Sequence, residues 1–129
     1  MSSLSDYLET ALLNHVFRNI AYTAPATVYL ALFTTMPVDD GTGGVEVTGG
    51  SYARKSVAFA AGPAGAGQVL NSAQITFTNM PQVSVVGAGI YDALTAGNLL
   101  VLSSLTSVYT TISGENLVVD TNQLTVMLG

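Results

Sequence analysis

The sequence predicts a mainly β protein: an antiparallel β-sandwich of about seven or eight strands with one N-terminal amphipathic helix. Three observations lead there. Apolar residues recur every three or four positions near the start of the chain, and every second position from Thr27 onward. The later apolar runs are short and separated by turn-forming Gly, Pro, Asn, Asp and Ser. No repeat of fixed period is visible. The 129 residues are read as one domain, with the helix over 4–19 and the sandwich over 27–129.

The helix is expected because Leu4, Leu8, Ala11, Leu12 and Val16 share the spacing that stacks side chains on one helical face. Tyr7, Leu13, Phe17 and Ile20 widen that face. Ser3 with Asp6, or Asp6 with Glu9, offers a capping-box-like start, and both acids suit the positive end of the helix dipole. Arg18 sits near the other end, Asn19 is a natural stop, and Pro25 forbids continuation. The apolar face has two uses: packing on the sheet of its own domain, or docking on a neighbouring subunit as an arm.

Val28, Leu30 and Leu32 then alternate with Tyr29, Ala31 and Phe33, so a central strand with two apolar faces is expected over 27–34. A long acidic, glycine-rich loop over 36–50 follows, of a length that suggests binding. A second strand is expected over 52–60, a flexible connector over 61–67, and a third strand over 73–78. Val83, Val85 and Val86 lead through Gly87-Ala88-Gly89 into Ile90-Tyr91. Those internal glycines predict a bulge or a close backbone approach. Further strands are expected over 99–102, 108–112, 117–119 and 123–128.

Charged residues make up only 9% of the chain, against roughly 25% in ordinary soluble domains. A surface so poor in charge repels copies of itself weakly, which fits an exterior covered by partners. The net charge of −5 and three basic residues argue against a nucleic-acid partner, whose phosphates demand a cationic footprint. With no cysteine there is no disulfide framework and no thiolate site. The first residues lack the basic and apolar regions of a signal peptide. Two uncharged stretches, 19–38 and 93–114, are interrupted by Pro25, Pro37, Gly97 and Ser/Thr pairs, and read as strands and turns rather than membrane spans.

No catalytic, cofactor or metal residues are assigned. His15 is the sole histidine and has no nucleophile elbow to serve, since Gly49-Gly50-Ser51-Tyr52-Ala53 does not match that pattern. Asp39, Asp40 and Glu46 offer the oxygen ligands that Ca2+ takes, but EF-hand spacing is absent and a solvated turn explains them. Gly62 to Gly67 lacks the Lys of a phosphate loop, and Gly87-Ala88-Gly89 runs into a strand rather than a helix. Six tyrosines without basic interleaving fit core edges and protein interfaces.

Several segments, in order, resemble a family of small tailed-bacteriophage virion proteins. They are Leu4-Ser5-Asp6-Tyr7-Leu8-Glu9, Leu12-Leu13-Asn14-His15-Val16-Phe17-Arg18, Val28-Tyr29-Leu30-Ala31-Leu32-Phe33-Thr34 and Glu46-Val47-Thr48-Gly49-Gly50-Ser51-Tyr52-Ala53-Arg54. Asn71-Ser72-Ala73, Gly89-Ile90-Tyr91-Asp92-Ala93 and Gly97-Asn98-Leu99-Leu100 complete the likeness. The resemblance implies a non-enzymatic virion component, in a family whose members are labelled tail-fibre, minor virion or head decoration proteins. A fibre shaft needs heptads, a triple-helical repeat or a stacked β-helix, and none is present. The expectation is therefore a capsid decoration or cement protein bridging subunits of the major capsid protein, a homo-oligomer within the particle. A tail, tail-fibre or baseplate adaptor is the alternative, and a glycan-binding module for host attachment a further one. Neither nucleic acid nor membrane is an expected partner. The expected interface residues are Tyr7, Leu8, Leu12 and Phe17 on the helix, Asp39, Asp40 and Glu46 in the acidic loop, and Tyr52 and Arg54 after it.

Overall fold

Strands account for most of the regular secondary structure in the computed structural model, which describes residues 2–63 and 66–128. In chain order they are β1 (Ser2–Leu4), then the helix α1 (Asp6–Phe17), β2 (Val28–Thr35), β3 (Val45–Glu46), β4 (Lys55–Val57) and β5 (Phe59–Ala61). There follow β6 (Gln68–Asn71), β7 (Ile75–Met80), β8 (Ser84–Tyr91), β9 (Leu99–Thr110), β10 (Glu115–Val119) and β11 (Thr125–Met127).

Every pairing is antiparallel. The main sheet runs β1-β9-β8-β2-β3, with β4 also paired to β2. β3 and β4 share one edge of β2: Val28 opposes Val57 at one end, and Thr35 opposes Val45 at the other. Two small sheets, β10-β7 and β11-β6-β5, supply the facing layer. Between the layers lies a core containing Leu30, Leu32, Val57, Ile75, Phe77, Met80, Val85, Ile90 and Leu100, with Phe59, Leu117, Val119 and Val126 packed against it.

β2 is central, as its doubly apolar pattern predicts: Leu30, Ala31, Leu32 and Phe33 are all buried. The segment after β2 lies close over β8. A Cβ added at Gly87 would stand 2.2 Å from Met36 Sδ, and one at Gly89 would stand 2.9 Å from the Phe33 ring. Both glycines thus mark the predicted close approach. The predicted bulge is there too. Val85 pairs with Tyr109 and Gly87 with Ser104, so β9 advances five positions while β8 advances two. The two strands expected over 99–102 and 108–112 are one long β9, interrupted by this bulge.

Among the described residues there are eleven strands, several of them very short, against the expected seven or eight. The strand expected over 52–60 divides at Ala58, its first part joining the main sheet and its second the small one. β1, β3 and β6 are two to four residues long, too short for a period to emerge. Ala64 and Gly65 of the expected connector lie outside the described residues. The flanks of that connector meet as the Gly62 amide donates to the Gln68 carbonyl.

The helix occupies 6–17 rather than 4–19, because residues 2–4 are claimed by pairing with Ser103, Leu102 and Val101. Its N-cap is Ser5, whose hydroxyl accepts the Leu8 amide. It ends where Asn19 takes a φ of +55° and the Arg18 and Ile20 amides both donate to the Asn14 carbonyl. No residue of α1 is buried. Leu8 alone of its side chains reaches the core margin, so most of the apolar face expected to pack on the sheet does not. Among the described residues no helix is long and apolar enough to cross a membrane.

Candidate functional site: a polar latch and an exposed helix face

Glu46 at the end of β3, Tyr52 and Arg54 before β4, and Tyr91 at the end of β8 converge on one spot. β3 and β4 lie on one edge of β2 and β8 on the other, so β2 sets their spacing. The Arg54 guanidinium meets the Glu46 carboxylate through Nη2 at 2.9 Å and Nε at 3.1 Å. Its Nη1 donates to the carbonyls of Ala93 (2.9 Å) and Ala96 (2.8 Å), and its carbon lies 3.7 Å from the Tyr91 ring centroid. The Tyr52 hydroxyl donates to Glu46 Oε2 at 2.7 Å and accepts the Leu32 amide at 2.9 Å. The Tyr52 ring stacks on Phe77 at 5.8 Å.

Burial, assisted by Glu46, raises the Tyr52 hydroxyl far above its ordinary pKa, against the opposing bond from the Leu32 amide. For Arg54, burial acts to lower the pKa, but hydrogen bonding and attraction to Glu46 outweigh it and the net shift is upward. The Arg54 side chain is only 9% exposed. Glu46, Tyr52 and Arg54, three expected interface residues, are thus brought together, but they face one another. The arrangement is a latch that ties the turn over 93–98 to β2 and β3.

The acidic loop divides differently. The Asp39 carbonyl accepts the Asp6 amide, fastening the loop to the start of α1. The Asp40 carboxylate accepts the Thr42 amide (2.8 Å) and hydroxyl (2.6 Å), bonds that hold its pKa below the ordinary range. Glu46 is engaged by Arg54 and Tyr52 instead of joining the two aspartates. Among the described residues, no group of three or more His, Asp or Glu side chains is placed to hold a metal ion.

On the helix, Leu8 and Leu12 turn inward and are half-buried, whereas Tyr7 and Phe17 are exposed. Phe17 is 78% exposed, and Leu13 and Val16, at 57% and 65%, extend it into an apolar stripe, with Ile20, 46% exposed, following beyond the helix end. That i, i+3, i+4 spacing was visible in the sequence, but not which face would lie outward. Beside the helix, an open groove of about 720 Å³ runs between the β1–β9 edge and β11. Leu4, Glu9, Leu105, Leu124, Met127 and Leu128 line it. Leu105, Met127 and Leu128 are themselves exposed.

The broad apolar exterior is of the kind that marks an interaction surface. No curated protein matches the chain. The model of the family described as "Podophage GP4 fiber I protein gp80" matches residues 3–127. The chain belongs to this podophage fibre-protein family, and it is a structural protein of the tailed-phage virion that associates with other virion components.

Proposed function

We propose that the protein is a non-enzymatic subunit of the tail-fibre apparatus, acting as an adaptor that packs against neighbouring virion proteins. The observation that carries this reading is the outward apolar stripe Leu13, Val16 and Phe17 on a chain matched over 3–127 by a fibre-protein family. An exposed apolar face of this kind marks an interaction surface. The short, folded-back strands supply no elongating device, so the adaptor role suits the chain better than a fibre shaft. His15 gives no reason to add catalysis, because its Nδ1 accepts the Tyr22 amide.

Capsid decoration is the second reading, favoured by the 9% charge content and the acidic balance, which suit the outside of a protein shell. In that role the subunit bridges copies of the major capsid protein. Copy number on purified particles, measured by quantitative mass spectrometry, separates the two. A multiple of three or six in the tens or fewer is the tail outcome, and on the order of hundreds the shell outcome, as each follows its local symmetry.

A further inference from the structure

We propose that Asp40–Gly41 is a latent isoaspartate site, and that Thr42 guards it against a ring closure that would release the start of α1. Asp40-Gly41 is the one Asp-Gly pair in the chain, and no Asn precedes a Gly. Only there does an acid adjoin an amide whose own residue carries no side chain to obstruct attack. The loop is exposed, so water reaches the bond. Asn71-Ser72 is the next most lightly screened pair, but Asn71 is buried and its side chain is committed to Ala73, Asp120 and Leu124.

In the reaction the Gly41 nitrogen gives up its proton and bonds to the carboxyl carbon of the Asp40 side chain, which expels one water and closes a cyclic imide. Water then adds back at one of the two imide carbonyls. Opening at the side-chain carbonyl restores aspartate. Opening at the main-chain carbonyl frees that group as a carboxylate and leaves the backbone running through the side chain, as isoaspartate, one methylene longer. The water lost is returned, so the mass does not change.

Both reacting groups are occupied in the folded chain. The Gly41 amide donates to the Val38 carbonyl at 2.8 Å, and the Val38 amide donates to the Thr42 carbonyl at 3.0 Å, so the nucleophile is tied into a turn. The Asp40 carboxylate accepts the Thr42 hydroxyl at 2.6 Å and the Thr42 amide at 2.8 Å. Those bonds pin it toward Thr42 and favour its ionised form, which has no water to expel. The same turn carries the Asp39 carbonyl, which accepts the Asp6 amide at 2.9 Å. A backbone lengthened between Asp40 and Gly41 no longer fits these bonds, and the anchor at Asp6 is lost with them. The inference does not depend on whether the chain sits on tail or shell.

Peptide mapping with electron-transfer fragmentation distinguishes isoaspartate from aspartate at a given residue, and tests this on the purified full chain stored for weeks at neutral pH. Isoaspartate at position 40 should form at least about tenfold faster in the chain unfolded by guanidinium than in the folded chain, because unfolding releases several hydrogen bonds at once. Thr42→Val keeps the side-chain shape and removes the hydroxyl. It should raise the folded rate at least about threefold, the scale of one exposed hydrogen bond. Asp40→Glu, whose longer side chain closes the imide poorly, should give no rearranged product there. Both positions are exposed, and unchanged circular dichroism confirms that the variants fold. The isoaspartate form of Thr42→Val, separated by chromatography, should show faster amide exchange over 6–9 than its unmodified counterpart. Equal rates in the folded and unfolded chain, or in Thr42→Val and the wild type, overturn the proposal. So does a rearranged product in Asp40→Glu, or unchanged exchange over 6–9 in the isoaspartate form.

Discussion

Arg54 joins two separate backbone regions: the carbonyls of Ala93 and Ala96 on one side, and Glu46 of β3 on the other. Arg54→Met keeps the stem of the side chain and removes all of these bonds. It should cost about 2–3 kcal/mol, because Glu46 and two carbonyls lose their donor. The measurement is a lower urea midpoint at unchanged m-value. Tyr52 adds a pH signature with a definite sign. Its hydroxyl titrates near pH 10 in the unfolded chain, and its folded pKa is raised by burial. The folded state therefore retains a proton that the unfolded state releases. This stabilisation is complete below about pH 10 and falls away as pH rises beyond it. Tyr52→Phe should flatten that alkaline decline, read from melting temperatures between about pH 8 and 11. Tyr22 and Tyr91, also raised by burial, leave part of it in place. In the sequence Glu46, Tyr52 and Arg54 stood out because charge is so scarce. Their mutual pairing was hidden, since spacing within a loop does not say whether side chains face each other or a partner.

At the scale of elements, α1 rests on a small number of attachments. Ser5 is buried, caps the helix through Leu8, and donates its hydroxyl to the Leu99 carbonyl of β9. Ser5→Ala should cost about 1–2 kcal/mol, and amide exchange should quicken across 8–12 more than in β2. The sheet has its own sensitive point at Gly89, where an added methyl would approach Leu99 Cδ1 to 2.8 Å and the Phe33 ring to 2.9 Å. Gly89→Ala should lower stability by about 1–3 kcal/mol, measured by denaturant titration. The helix, β2, β7, β8 and β11 were legible because each carries several residues of one period. β1, β3 and β6 were not, because pairing with distant chain, such as Ser2 with Ser103, makes them strands. The burial of α1 was misjudged for a related reason. Periodicity reports that a face is apolar, but not whether its own domain supplies the surface that covers it.

Across the whole molecule, the sandwich encloses its core on the β2–β7 side and leaves apolar residues outside along α1, the β9 bulge and the last strand. Mainly β architecture followed from turn chemistry and alternation, while membership of a virion followed from the ordered set of family segments. Tail or shell was not legible, because the same low-charge exterior serves either. The pairing of β1 with β9 has a further consequence, for the order in which the protein is made. The ribosome releases residues 2–17 first, but the backbone that holds them, residues 99–103, emerges roughly a hundred residues later. Until then the nascent helix has no docking strand, and Leu8 and Leu12, half-buried in the finished fold, stand open to chaperones and proteases. Chains stalled short of residue 99 should be cut within 6–17 by a protease that spares the completed protein, and release of the full length should abolish that cleavage.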